Sequence, residues 1–335
     1  MAKAQVTEQF NWLFALIAGG FILLFFLFVG IQLKSASDAR IAATVLQNFD
    51  AILTGSAANP NTLTTLDVPR SLRFDITCDF DRTSELIIPN ARTRIDVSNK
   101  LVFTPKELRG NQLFAYVLPI KMPFYIGNAV LMTDSSTIFY AYNPQERPQI
   151  HTIFDGIPDG IPKRMSPIFE QDILRAYDKV IFIIHEDDYS TLPDLNRNVR
   201  FIEDRGNIFE VSSSGYILVA EESAVQSGTN QLNLNLFSDN FVSDLLIFTL
   251  FSKNMEYFEC TMAKIQDKAQ FVGQIYEKRT AMLYDSVDSV ACKDRYQAAQ
   301  PLFREVARGT STGLTLNNLE NINNQLLLRS CPLIY

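Results

Sequence analysis

The chain has 335 residues, of which 47% are hydrophobic and 20% charged, with 25 Phe and 12 Tyr among them, so it carries ample material for a packed core and lacks the composition of a disordered protein. Its formal net charge of −7 and pI near 5.0 argue against a nucleic-acid partner, because phosphates would be repelled and Lys and Arg are scattered rather than gathered in a patch.

Between Trp12 and Ile31 the sequence WLFALIAGGFILLFFLFVGI contains no charge. A run of about 20 apolar residues is what a helix needs to cross a bilayer core of roughly 30 Å, and no later run repeats it: Leu245 to Phe251 is far too short. The core is longer than the roughly 7–15 residues of a cleaved secretory signal, although Ser35-Ala36-Ser37 resembles a weak cleavage site; a retained, single-pass anchor is expected. Lys3 and the amino terminus on one flank balance Lys34 and Arg40 on the other, so the positive-inside rule leaves orientation tied.

The cysteines break the tie. Cys78, Cys260, Cys292 and Cys331 all follow the anchor, and none forms a C-x-x-C pair. An even, widely spaced set suits two disulfides in an oxidising compartment, which puts the bulk of the chain outside the cytoplasm; buried free thiols in a cytosolic domain are the alternative. Three pairings exist, and the favoured one joins Cys78 to Cys260 and Cys292 to Cys331, stapling the tail to itself and to the early strands. The sequence contains no N-x-S/T acceptor site.

Beyond the anchor, Ile41, Val45, Phe49 and Ile52 recur on one helix face, predicting an amphipathic stalk that stops at Gly55 and the polar run Ala57 to Asn61. Short β-rich runs follow at Leu72–Ile76, Glu85–Ile88, Thr93–Val97, Leu101–Thr104 and Leu113–Leu118, separated by Pro, Asn and Gly turns, and predict a small antiparallel region. From Thr137 the pattern becomes strand (137–142), helix (Pro167–Tyr177) and buried strand (179–184), a βαβ unit; further runs at 199–202, 207–211 and 216–220 would complete a Rossmann-like mixed central sheet. The last third is helical. Met255, Phe258, Met262, Ile265, Ala269, Val272 and Tyr276 form one stripe suited to packing on the sheet or on another helix. A second helix surrounds Cys292 and is expected to break or restart at Pro301, and a third presents Leu319, Ile322 and Leu326. The expected class is therefore α+β or α/β, divided into an anchor (1–34), a stalk (35–56), a β-rich region (57–130), an α/β domain (131–250) and C-terminal helices (251–335).

Chemical signatures are sparse. Gly309-Thr310-Ser311-Thr312-Gly313 matches a G-x-S-x-G nucleophile elbow in letters, yet it follows a helix, and both histidines, His151 and His185, precede it, so it reads as a loop. No catalytic residue is assigned. His185, Asp187 and Asp188 lie just past the most buried strand, where open α/β sheets bind ligands, and are the candidate ligands for a divalent cation; a solvated acidic loop is the plain alternative. No cofactor is otherwise expected. The doubled motif Asp155-Gly156-Ile157-Pro158-Asp159-Gly160-Ile161-Pro162 reads as a rigid, exposed loop.

Two resemblances run through these residues. The opening Glu8 to Gly20, the stalk ending Phe49 to Thr54, Leu236 to Asn240, Tyr257-Phe258-Glu259-Cys260 and Ser330-Cys331-Pro332 together resemble uncharacterised single-pass membrane proteins of archaea, a likeness that covers nearly the whole chain and brings no activity. Lys3-Ala4-Gln5-Val6-Thr7-Glu8 before an apolar helix is similar to the processing region of archaeal type IV pilin-like proteins, which implies a cut before Gln5 and a register-setting role for Glu8, here at the fourth mature position rather than the fifth. The expected protein is a non-enzymatic binding or structural ectodomain held at the cell membrane, with a protein partner in the envelope. A pilin-like filament subunit and a ligand- or metal-binding α/β domain are the alternatives.

Overall fold

The computed structural model describes residues 2–56, 59–79, 82–91, 93–105, 107–142, 151, 154–167, 170, 176–177, 179–183, 199–202, 209–211, 216–218, 247–248, 250–252 and 255–335. The first element is a single unbroken helix, α1 (Ala2–Ser56). Its two halves have opposite surroundings. The apolar side chains from Leu16 to Leu33 stand open, with Phe21 70%, Phe26 67% and Leu33 67% exposed, and this is the one helix among the described residues long and apolar enough to cross a membrane. In the second half Ala42, Val45, Leu46, Phe49 and Leu53 are buried, with Ile41 and Ile52 packed at their margin. Steps of three and four put these residues on one stripe. The expected stalk is therefore no free spacer but an integral part of the folded domain.

That stripe packs on a six-stranded sheet of order β3-β2-β1-β5-β6-β4. The strands are β1 (Leu63–Cys78), β2 (Ser84–Ile88), β3 (Thr93–Asp96), β4 (Leu101–Phe103), β5 (Glu107–Lys121) and β6 (Tyr125–Asp134). All neighbours are antiparallel except β4 and β6, which run parallel. Side chains of a strand alternate between faces, and here they alternate between two cores. Leu113, Ala115, Val102, Val130 and Met132 join the α1 face, whereas Phe114, Leu101, Phe103, Ala129 and Leu131 join the opposite one. At the open end of α1, Lys100 Nζ donates to Thr54 Oγ1 at 3.0 Å, putting a cation where the helix dipole is negative.

The second core is covered by α2 (Met255–Ser286), α3 (Val290–Arg308) and α4 (Gly313–Leu328). The predicted α2 stripe is the packing face: Phe258, Met262, Ile265 and Ala269 are buried, and Val272 and Tyr276 lie against the core. Pro301 does not interrupt its helix, contrary to the sequence expectation. Pro301 and Gln297, whose carbonyl loses its partner, both sit on the exposed side of α3, where water can satisfy that oxygen. Gly309 closes α3 in the left-handed region at φ 71°, and Thr312 opens α4 with a capping box to Thr315. The G-x-S-x-G segment is thus a link between two helices and not a strand-to-helix elbow.

A second sheet, of order β10-β9-β7-β8, is parallel throughout and is made of β7 (Thr137–Tyr142), β8 (Lys163–Ser166), β9 (Lys179–Ile183) and β10 (Val199–Ile202). The helix expected over Pro167–Tyr177 lies for the most part outside the described residues. β11 (Phe209–Val211) and β12 (Tyr216–Leu218) pair with each other instead of extending this sheet. The two larger sheets meet at the turn from β6 to β7, where the fully buried carboxylate of Asp134 accepts from Arg109 N–H (2.8 Å), Ser136 N–H (3.1 Å), Ser136 Oγ (2.5 Å) and Thr137 Oγ1 (3.0 Å). The Asp155–Pro162 loop is exposed at Asp155, Asp159 and Gly160, as expected, but is also anchored to the core through two of its side chains. Ile157 and Ile161 are fixed by turns to Phe154 and Pro158 and are buried, because two apolar side chains at a four-residue spacing point inward from successive turns.

If the second half of α1 belongs to the core, Phe49→Ala lowers the unfolding free energy of the full-length protein in detergent micelles by about 3–5 kcal/mol. Gln47→Ala, on the exposed side, leaves it within about 0.5 kcal/mol. Denaturant unfolding followed by near-ultraviolet dichroism measures both.

Candidate functional site

The cation candidates His185, Asp187 and Asp188 lie outside the described residues. Among the described residues no cluster of three or more His, Cys, Asp or Glu side chains is arranged to hold a metal ion. The other histidine, His151, pairs through Nδ1 with Asp155 Oδ2 at 2.9 Å, with both side chains exposed.

The cysteines are joined as Cys78–Cys260 and Cys292–Cys331, with Cα separations of 6.3 and 5.9 Å. The second bridge closes the helical tail: Cys292 begins α3, Cys331 follows α4, and both are buried at 6% exposure. The first bridge joins the end of β1, at the turn end of the β1–β2 hairpin, to α2. Its surroundings form a polar interior, in which Ser84 and Lys264 are buried.

The local chain geometry builds this interior. The β1–β2 hairpin sets Ser84 directly across from Cys78. One turn of α2 separates Cys260 from Lys264, so a bridge at Cys260 brings the Lys264 side chain to the same hairpin. Lys264 Nζ donates to Ser84 Oγ at 2.5 Å, and Ser84 Oγ in turn donates to Cys78 Sγ at 2.9 Å. Ser84 N–H is held by Ser98 Oγ at 2.8 Å, and Ser98 N–H and Oγ both donate to Asp96 Oδ1. The next turn of α2 is pinned as well, by Lys268 Nζ to the Asn99 carbonyl at 3.3 Å and by an ion pair between Asp267 and Arg82.

The electrostatics follow from burial. Lys264 is 7% exposed, and desolvation pushes its ammonium down to about 8, with Asp96 opposing the shift and Lys268 adding to it. The Asp96 carboxyl is held below the usual range by its hydrogen bonds from Ser98. A serine beside a lysine of lowered pKa is the pairing used by some hydrolases. Here that chemistry is excluded, because Ser84 is 1% exposed and its oxygen cannot reach a scissile bond. What the pair can do is deliver positive charge, through a hydroxyl, to the sulfur of Cys78.

Lys264 and Ser84 were not singled out by the sequence, since 180 residues separate them. One signal was available: Tyr257, Thr261, Lys264 and Lys268 recur at helical spacing, marking a second inward face of α2 beside the apolar stripe.

Between pH 8 and about 9.5 the unfolded chain keeps the Lys264 proton and the native protein releases it, so stability rises with pH across that window. Replacing Lys264 by Met removes a rise on the order of 1–2 kcal/mol, measured as the difference in unfolding free energy at pH 7 and pH 9.5. Higher pH is avoided because burial raises the Tyr257 and Tyr335 hydroxyls, whose ionisation favours the unfolded chain. No protein-family model, curated protein or solved structure matches this chain.

Proposed function

We propose that this is a single-pass protein of the cell envelope, anchored in the membrane by α1, whose extracytoplasmic domain serves as a non-enzymatic binding or structural module. The observation that carries the reading is the continuity of α1, which is apolar and open over its first half and a core element over its second. A removable signal would have no reason to share one helix with the core. From Ile31 to the first buried residue, Ala42, the helix rises about 16 Å, so the domain is held close to the membrane surface. Two disulfides support an oxidising compartment for that domain.

Maleimide labelling of intact and lysed cells, with and without prior reduction, tests the reading. All four cysteines are expected to resist labelling in denatured lysate until reduced. Free labelling without reduction would put the domain in the cytosol and overturn the proposal.

The same continuity favours a second reading, a pilin-like subunit assembled through the exposed half of α1, whose residues from Leu16 to Leu33 offer apolar side chains to neighbouring helices. Intact-mass measurement of the cellular protein separates the two. A mature chain starting at Gln5 supports the filament subunit, and an unprocessed amino terminus supports the plain anchor.

A further inference from the structure

The two disulfides differ in what surrounds their sulfurs. Cys78 Sγ receives a hydrogen bond from Ser84 Oγ, and Lys264 stands behind that hydroxyl. Cys260 Sγ faces a carbonyl oxygen, that of Asp79, at 3.8 Å. A thiolate on Cys78 would therefore meet a donor backed by an ammonium, whereas one on Cys260 would meet an acceptor. Cys260 also lies beyond the first turn of α2, out of reach of the positive helix end. The bridge is accessible, since Cys78 and Cys260 are both partly exposed. Cys292 and Cys331 offer the contrast: both are buried, and Cys331 Sγ faces the Arg329 carbonyl oxygen at 3.8 Å.

We infer that Cys78–Cys260 is a thiol–disulfide exchange site, open to a dithiol reductant, in which Cys260 is the sulfur attacked and Cys78 the leaving thiolate. One thiolate of the dithiol attacks Cys260 Sγ along the S–S axis. The Cys78–Cys260 bond breaks and its electron pair leaves on Cys78 Sγ, where the Ser84 hydroxyl and the Lys264 charge receive it. The second thiol of the reductant then attacks the sulfur bound to Cys260, closing the reductant into a disulfide and releasing Cys260 as a thiolate. The reductant loses two electrons and its two protons; Cys78 and Cys260 gain the electrons and end as thiols on protonation. A leaving group of lowered pKa departs faster, and a stabilised thiolate makes the bridge easier to reduce at equilibrium. Lys264 and Ser84 act through Cys78 and are positioning residues. Exchange would untie α2 from the end of β1 while Cys292–Cys331 keeps the helical tail closed.

The inference concerns the oxidised protein itself and does not depend on which partner the ectodomain binds. The test uses full-length protein in detergent micelles with both bridges formed, equilibrated against graded ratios of reduced to oxidised dithiothreitol. Thiols are trapped by alkylation and read cysteine by cysteine in the mass spectrometer. Cys78–Cys260 is expected to open at a ratio at least tenfold lower than Cys292–Cys331, which also reports any global unfolding. Lys264→Met and Ser84→Ala are each expected to raise the required ratio at Cys78–Cys260 roughly tenfold, the size of one charge-assisted hydrogen bond, and Lys264→Arg to restore most of it. With glutathione in place of the dithiol, the trapped adduct is expected on Cys260. Simultaneous opening of the two bridges, an unchanged ratio in Lys264→Met, or an adduct on Cys78 would overturn the inference. If Ser84→Ala does not fold, Lys264→Met alone decides it. Protein isolated with all thiols free would count against the envelope reading and leave this chemistry measurable after oxidation.

Discussion

Everything in this fold depends on a sheet that is covered on both faces by helices from opposite ends of the chain. A β-sheet with two apolar faces cannot stand in water, and the six strands from Leu63 to Asp134 supply both faces by strict alternation. The second half of α1 provides one cover and the last 81 residues, from Met255 to Tyr335, the other. The consequence is long-range closure: neither cover can be removed without exposing the side chains of Phe74, Leu108 and Met132, or those of Phe103, Phe114 and Leu131. α1 is thereby made a structural necessity for the folded domain.

The disulfides divide the work of holding that closure. Cys292–Cys331 links positions 39 residues apart, within one cover, whereas Cys78–Cys260 spans 182 residues and ties the sheet to its cover. In the chain-entropy account the longer loop contributes about 1.4 kcal/mol more. The longer bridge therefore has the larger effect on the ensemble and the more accessible position. Stability and reactivity are concentrated in the same two sulfurs.

Much of this architecture was legible where local pattern decides structure. The apolar run from Trp12, the helical stripe of α2, the strands near Glu85, Thr93 and Leu101, and the wide spacing of the cysteines all announce themselves. What stayed hidden depended on partners distant in sequence. β1 begins at Leu63, not Leu72, because an irregularity between Asp67 and Leu72 lets the strand resume its pairing past Pro69. Gly110, a turn-former by composition, sits inside β5 since Leu72 of β1 pairs with it, and Asn111 continues the strand at the point where the register shifts. The parallel pairing of β4 with β6 had no local signature, and neither did the contact of Lys264 with Ser84. Pro301 was misjudged for the opposite reason, because an exposed carbonyl makes a proline tolerable in a helix and burial is not written in the letters.

The unbroken course of α1 has a mechanical meaning. In the anchored protein proposed above, a helix stiff from the bilayer to the core would leave no swivel between them, and the domain would inherit the tilt of the membrane segment. Transmembrane helices tilt by about 20° on average and adjust that angle to the thickness of the hydrocarbon they cross. From Phe21, within the apolar run, to Leu46, on the packed face, the helix rises about 38 Å, and a 20° tilt displaces the domain sideways by about 13 Å. Lipid composition would in this way set the bearing of the ectodomain over the surface, as a mast transmits the roll of the hull.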